Sequence, residues 1–411
     1  MAKQPRPVGG LLRRLFGGTK AAGGRTYSLT DEAFIRRILG VDTDAGITIS
    51  EDTALRLTTV WSCVRLLSET IAGLPWGIYE RRRDGTAVPV LDHELAGLLN
   101  GSPNLWMTPQ DLREAQVSAL CLAGNSYSYV ERSVTRGMPT SITPDPTITA
   151  RVLSDGTMEY RRGGALLPQS AVWHLKGFGS NGYLGLSPVG YARQAIGYGL
   201  AAESFGARFF KQGAVSSAVV LAKDWLGDKE RETARKILND LWTGLTNAHS
   251  VKLLEGGMDI KQVTMPLEDA QFLETRKFEV EEICRIYRVP PYLVMAQDSA
   301  SYNSLEKYAE GFLQFTLLPY LTRYEQSFAR ALLPVEQRGR YFLRFDVDAL
   351  RRADAPGRAG LYSVFLQNGV MSRNEVRVRE NLAPSDDPGM SAYTAQVNMA
   401  PVSQIGTGGE A

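Results

Sequence analysis

Residues 187–213 read SPVGYARQAIGYGLAAESFGARFFKQG, and their periodicity decides the fold. Ser187 is a good N-cap, and Pro188 suits a first helical position because its missing N–H would have no partner there. The pattern predicts one helix to Gln212, closed by Gly213, spanning roughly 26 positions and about 39 Å. Gly190, Gly197, Gly199 and Gly206 lie inside it, each costing about 1 kcal/mol relative to alanine. Small residues offset that cost where neighbouring helices approach closely. Five aromatics stand beside them: Tyr191, Tyr198, Phe205, Phe209 and Phe210. A close-packed helix accounts for this mixture better than a poorly optimised surface helix.

A second helix opens near Pro266 and is cut by Val289-Pro290-Pro291. Leu273, Val280, Ile283, Cys284 and Tyr287 recur at helical spacing. The charges Glu274, Arg276, Lys277, Glu279, Glu281 and Glu282 read as a solvated face, with pairs between copies as the alternative. Between the two helices lies a small insert. Ser217–Ala222 reads as a strand and Asp228–Trp242 as a helix; Val251–Leu254 and Asp259–Val263 flank the turn Gly256-Gly257. An insert this small is near the lower limit for independent stability. A chain that leaves its body along one helix, builds a knob and returns along another makes a stalk. Neither helix can bury all its apolar surface alone, so copies standing side by side are expected.

Beyond Pro291 come Tyr292–Met295 and a polar, small-residue loop, Ala296–Tyr302. Asn303 or Ser304 then caps a helix running to Leu333 and bent at Pro319. A loop without core residues between two long helices is mobile or poised to touch something.

The part before the stalk reads as mixed helix and strand. Residues 52–74 form an apolar-periodic helix, with Leu55, Val60, Cys63, Val64, Leu67 and Ile71 along one side. Trp76–Arg82 and Ala87–Val90 make a hairpin through Asp84-Gly85. His93–Leu99 is a short helix ending at Asn100-Gly101. Thr108-Pro109 opens another that runs to Leu122 and stops at Gly124. Tyr127–Arg132, Ile148–Leu153 and Thr157–Arg161 are strands, the last two joined through Asp155-Gly156. The class is α+β.

Composition bounds the rest. The chain has 411 residues, 44% apolar and 22% charged, enough for two or more structural units. A net charge of +2 advertises no global affinity for nucleic acid or anionic membrane. Three scattered cysteines, Cys63, Cys121 and Cys284, argue against a disulfide framework and suit a reducing compartment. No apolar run reaches membrane-spanning length. Leu11-Leu12 and Leu15-Phe16, with arginines between, are too short and too charged for a secretory segment. Residues 1–27 hold six basic residues and no acid, and residues 383–411 hold no Lys or Arg; both read as disordered. The basic tail is a solvated arm first, and a contact to nucleic acid or a partner second. No internal repeat is present.

Enzyme signatures are weak. His93, His174 and His249 have no second ligand at i+3 or i+4, so a zinc or triad site lacks support. His174 reads as a partly buried strand residue. Gly124-Asn125-Ser126-Tyr127-Ser128 lacks the second glycine of a nucleophile elbow. Gly17-Gly18-Thr19-Lys20 places lysine after threonine, unlike a P-loop. The glycine-rich stretch Gly177–Gly185 reads as a flexible bend before the stalk. No catalytic, cofactor or metal site emerges.

Six segments resemble the tailed-bacteriophage portal protein family in its short siphophage or prophage form. They are Val60–Gly85, Asn104–Arg132, Leu186–Ala214, Ile283–Val294, Asn303–Leu321 and Val347–Leu382. In the last, Gln367-Asn368-Gly369 ends one helix and Ser372-Arg373-Asn374-Glu375 is a capping box for the next. The resemblance covers about residues 30 to 385 in the expected order. It implies a portal-like fold: a mixed α/β wing (28–186, with a return strand in 335–350) and stem helices (187–214 and 266–289). An α/β clip (215–265), a tunnel loop with a kinked tunnel helix (290–334) and a helical crown (351–382) complete it. It further implies a ring, usually of twelve copies, at one capsid vertex of the virion, assembled in the host cytoplasm. Such a ring starts capsid assembly, passes double-stranded DNA non-specifically during packaging, joins head to tail and releases the genome. Its implied partners are itself, the terminase large subunit, a head–tail adaptor, and capsid and scaffold proteins, with no membrane and no cofactor. Gln297, Asp298, Ser299, Ser301, Tyr302, Asn303 and Lys307 would face DNA. Trp225, Lys229 and Glu230 on the clip would meet partners. A weakly charged lining fits passage, because many phosphate contacts would grip DNA through counterion release.

Two other classes compete with the ring. A monomeric minor phage hydrolase predicts activity lost in Ser126→Ala. A non-ring scaffold protein predicts one-to-one complexes through the insert.

Overall fold

The computed structural model describes residues 41–211, 218–221, 227–229, 231–233, 236, 259–262, 269–295, 308–347, 355–380 and 382–394. The N-terminal tail of residues 1–27 lies outside them. The chain divides into two compact units, Met1–Gly73 with Gly77–Arg344, and Leu74–Trp76 with Phe345–Ala411.

The first unit opens with a small hairpin, β1 (Val41–Asp42) and β2 (Thr48–Ile49). The helix expected over residues 52–74 is two helices, α1 (Glu51–Ala54) and α2 (Thr58–Gly73). Between them the backbone tightens to i→i−3 bonds, Arg56 N to Thr53 O and Leu57 N to Ala54 O. That turn buries Leu57 and brings it to Gly199 of the stalk. β3 (Trp76–Arg81) and β4 (Ala87–Pro89) form the predicted hairpin, with Gly85 at φ 84°. α3 (Ala96–Asn100) starts three residues later than His93, whose Nδ1 instead accepts from Leu95 N. α4 (Pro109–Ala123) follows its sequence signals closely. Thr108 and Asp111 form a reciprocal cap, and Gly124 ends the helix in the left-handed region at φ 72°.

β5 (Asn125–Arg132) is the central strand of a three-stranded antiparallel sheet, between β6 (Pro139–Pro144) and β10 (Val172–Lys176). β7 (Ile148–Val152), β8 (Met158–Arg162) and β9 (Ala165–Leu167) form a second. β6 escaped the sequence reading because proline bounds it at both ends, which an edge strand tolerates. α2 packs along α4, and the two bury Val60, Cys63, Leu67 and Ile71 with Leu112, Leu120 and Cys121. All three cysteines are free and buried.

The stalk helix is not continuous. α5 (Pro188–Tyr191) ends at Ala192, whose ψ of 3° breaks the run, and α6 (Arg193–Lys211) follows. Two separate anchors impose the break. Ser187 Oγ donates to Leu122 O at the end of α4 (2.8 Å), while Gly197 and Gly199 dock elsewhere, on Thr43 and Glu279. In the insert, β11 (Ala218–Leu221) pairs antiparallel with β12 (Asp259–Gln262). Most of the helix expected over 228–242, and the strand expected over 251–254, lie outside the described residues.

α7 (Asp269–Tyr287) is the returning stalk helix, followed by a 3-10 turn, Pro291–Val294. Residues 308–312 are helical, Leu313–Leu317 widen into a π-helical turn, and α8 (Leu318–Ala331) continues. The bend expected at Pro319 is this widening, one turn earlier. Pro319 lacks an N–H and its ring crowds the preceding turn, so the ladder shifts register before it. β13 (Tyr341–Phe345) then pairs with β3, giving the sheet order β13-β3-β4.

The second unit holds α9 (Ala355–Gln367) and α10 (Arg373–Arg379), with the predicted Ser372–Glu375 capping box present. Residues 383–394, read from sequence as part of a disordered tail, carry structure. Asn374 bonds Ser385 through both ends of its carboxamide, and Thr394 Oγ1 donates to Leu366 O.

The stretch 177–185 is no flexible bend. A Cβ on Gly185 would lie 1.9 Å from Gly124 O, and one on Gly179 would lie 2.1 Å from Leu184 O. Gly177 N donates to Gly124 O at 2.8 Å. These glycines permit backbone to touch backbone, which is a different use from flexibility. Gly185→Ala should therefore lower unfolding free energy by about 3 kcal/mol, read as a shifted urea midpoint at unchanged slope.

Candidate functional site

The stalk crossing is built on glycine notches. A Cβ on Gly199 would lie 2.0 Å from Glu279 Oε1 and 3.1 Å from Leu57 Cδ2, so any larger residue would displace the Glu279 side chain. Gly197 sits as closely on Thr43, at 2.7 Å from Oγ1. Glu279 is buried, not part of a solvated face, and burial pushes its carboxyl pKa up. One turn away, Arg276 pairs with Glu203 across the crossing at 3.3 Å. Ile196 of α6, with Ile283, Cys284 and Tyr287 of α7, is buried.

The stalk also presents exposed aromatics. Tyr191, Tyr198 and Phe205 are 76%, 51% and 48% exposed. Tyr198 and Phe205, seven residues apart on α6, share one side, offset by only about 20°, while Tyr191 stands before the break at Ala192. Phe278 of α7 is exposed too, with the Arg285 guanidinium 5.7 Å from its ring centroid. Together Tyr191, Tyr198 and Phe205 leave on the order of 300 Å² of apolar surface, comparable with the largest patch of a typical monomer.

The segment flanking residues 296–307 is held at its base. Arg288 and Met295 both adopt φ 57°, folding the chain back on either side of the 3-10 turn. Tyr292 lies 5.5 Å from Tyr308, ring to ring, and Thr316 Oγ1 donates to Arg288 O at 2.6 Å. Gln297, Asp298, Ser299, Ser301, Tyr302, Asn303 and Lys307 lie outside the described residues, as do Trp225 and Glu230. Lys229 is described, and it is exposed.

α8 is fastened to the sheet of β5, β6 and β10. Trp173 is fully buried, donates Nε1–H to Ser327 Oγ at 2.9 Å and stands edge-on to Tyr324 and Phe328. Arg323 donates to Gly177 O at 2.7 Å. Tyr324 OH donates to Gln116, whose amide donates to Ser128 Oγ. Ser126, the residue a hydrolase would need, is buried within β5 rather than raised on a strand-to-helix turn.

His174 lies on β10, buried, with Tyr160 OH 3.1 Å from Nδ1 and Asn125 Oδ1 3.0 Å from Nε2. Asn125 in turn accepts from Gly185 N and donates to Gly185 O. Asn125 is the residue sequence reasoning passed over. Its signal was its place directly after a C-capping glycine. Burial pushes His174 down to about 3, helped by Lys176 and Arg330 nearby, so the ring is neutral.

The comparisons agree with this architecture. The family model described as phage portal protein matches residues 58–381. The portal protein of Enterobacteria phage HK97 is 33% identical over 371 residues, covering 88% of this chain and 87% of its own. The probable portal protein of Streptomyces phage phiC31 is 34% identical over 385 residues, covering 89% and 83%. Among solved structures, a chain in the neck of a native gene transfer agent particle, computed with C12 symmetry, has a TM-score of 0.55. It is 24% identical, with 85% of this chain and 99% of that chain covered. A HK97 family phage portal protein from Corynebacterium diphtheriae shares the fold, with a TM-score of 0.55 at 16% identity, over 75% of this chain and 99% of that chain. The chain belongs to the phage portal protein family, and a portal function follows from that membership.

The neutral His174 yields a test of the site's base. An unfolded histidine titrates near about 6.5 and the native one near 3, so the unfolded state binds more protons between these values. Stability should fall as pH drops through that window, by up to about 1.4 kcal/mol per pH unit from this group. In urea titrations from pH 7 to 4, His174→Gln should remove that part of the slope.

Proposed function

We propose that this chain forms a ring, with twelve as the expected number, and that the ring is a DNA conduit at one capsid vertex of the virion. The exposure of Tyr191, Tyr198 and Phe205 along α5 and α6 supports the reading. In a cyclic assembly one side of each stalk meets the next copy, which covers such aromatics without leaving an open end. The C12 symmetry of the gene transfer agent neck supports that expectation by likeness of fold.

In this reading α5, α6 and α7 are the stem, the β11–β12 insert is the clip, and α9 with α10 belongs to the crown. The segment 296–307 is the tunnel loop, with Gln297, Asp298, Ser299, Ser301, Tyr302, Asn303 and Lys307 facing duplex DNA. Trp225, Lys229 and Glu230 dock the terminase large subunit and the head–tail adaptor. The ring assembles in the host cytoplasm with capsid and scaffold proteins, starts the shell, admits the genome and later releases it. It has no catalytic role.

Light scattering on purified protein tests the ring: discrete high-mass oligomers are expected, and monomers at every concentration would end the proposal. Deleting Gln297–Tyr302 separates channel from assembly. Rings should form while packaging or DNA retention fails, and loss of soluble rings would refute the loop assignment. Reversing charge at Lys229 should weaken motor docking without changing the melting temperature.

A further inference from the structure

Alternate residues of a strand share a face, and one face of the β13-β3-β4 sheet carries an unusual group. Tyr79 of β3 and Phe342 of β13 stack there, with centroids 5.9 Å apart and planes at 27°. The Arg81 guanidinium lies 5.5 Å from the Phe342 centroid, and that of Arg344 lies 6.0 Å from the Tyr79 centroid. Both arginines are exposed, and Arg82 and Arg83 continue the cationic run into the exposed hairpin turn.

The two acids within β3, its turn and β13 are spoken for. Glu80 pairs with Arg340 at 2.6 Å. Asp84 is turned into its own hairpin, accepting from Thr86 N and Oγ1 at 2.9 and 2.7 Å. Residues 76–89 and 338–345 contain no other acid. Among the described residues, Arg81, Arg82, Arg83 and Arg344 form no ion pair. Four such cations in one place stand out in a chain whose whole net charge is +2.

Two guanidiniums drawn over one aromatic pair repel each other, and an anion lying between them relieves that repulsion. Stacking occupies a guanidinium's flat face but leaves its in-plane N–H fork, the part that grips phosphate. Two exposed arginines on one sheet face, continued by two more in the adjoining turn, offer more N–H forks than a single carboxylate would engage and suit a run of phosphates. An arginine already approaches each of Tyr79 and Phe342, and the two rings stack on each other, which leaves less of either for an unstacked base. That favours duplex over single strand.

We propose that this sheet face binds the phosphate backbone of duplex DNA without sequence preference, at a site separate from residues 296–307. The inference does not rest on ring formation. The test uses a covalently closed circular duplex, which cannot thread a closed ring, so a channel contributes nothing to the signal. Wild-type protein should bind it with an affinity that falls steeply with salt. Each lost phosphate contact lowers the log–log salt slope by about 0.9, so Arg81→Gln with Arg344→Gln should lower it by about 2 and weaken binding about tenfold or more at low salt. Arg82→Glu with Arg83→Glu, in an exposed turn where folding is not at stake, should act in the same direction. Absence of wild-type binding, or wild-type affinity and slope in both double variants, would overturn the proposal. So would displacement of the DNA by poly-glutamate at equal charge, which would point to an acidic protein, or tighter binding of single strands.

Discussion

The contact on which the structure turns is backbone against backbone, where Gly185 and Gly177 press on Gly124. α4 ends there, β5 begins there, and the stalk departs a few residues later at Ser187. No side chain fits in the gap, so the departure point is set by three glycines and locked by Asn125, which bonds Gly185 through both its amide atoms. His174 holds Asn125 from the other side and must stay neutral to remain buried. Ser187 then ties the first stalk turn to α4 through Leu122 O. A shift at this knot would carry the whole stalk with it.

Much of the local structure was legible because it rests on caps and turns. Thr108-Pro109, Ser187-Pro188, Ser372 with Glu375, and Asp84-Gly85 each act within four residues, so sequence alone exposes them. What stayed hidden depends on residues distant in sequence. Glu279 reads as one more charge on a solvated helix, until Gly199 on the other stalk helix opens a notch for it. The same glycine calls Leu57 inward and so breaks the first helix at residues 55–57. Glycines 177–185 look like a hinge because composition cannot tell freedom from crowding. Pro319 announced a bend, but its position followed from how the ladder relaxes ahead of the ring. The residues expected to line a channel or meet partners were named through family likeness, because polar side chains in a loop carry no periodicity to read.

The described parts divide labour in a way that suits a conduit. The sheet of β5, β6 and β10 and α8 are joined by buried aromatic contacts and side-chain bonds around Trp173, Tyr324 and Gln116, making a stiff frame. Projecting from that frame are the exposed aromatics of the stalk and the exposed arginines of the β3–β13 face. Both are costly in a lone soluble chain. Apolar rings lose the gain of burial, and clustered like charges repel. Each is relieved by a neighbour of the right chemistry, a copy of the chain for the aromatics and a polyanion for the arginines.

The central claim is that the exposed aromatics Tyr191, Tyr198 and Phe205 are covered by the next copy. Hydroxyl-radical footprinting, comparing assembled particles with dissociated chains, reads those side chains directly. The account predicts that all three lose most of their labelling on assembly while Trp106, also exposed in the single chain, serves as an internal reference. Equal labelling of the three aromatics in both states would contradict it.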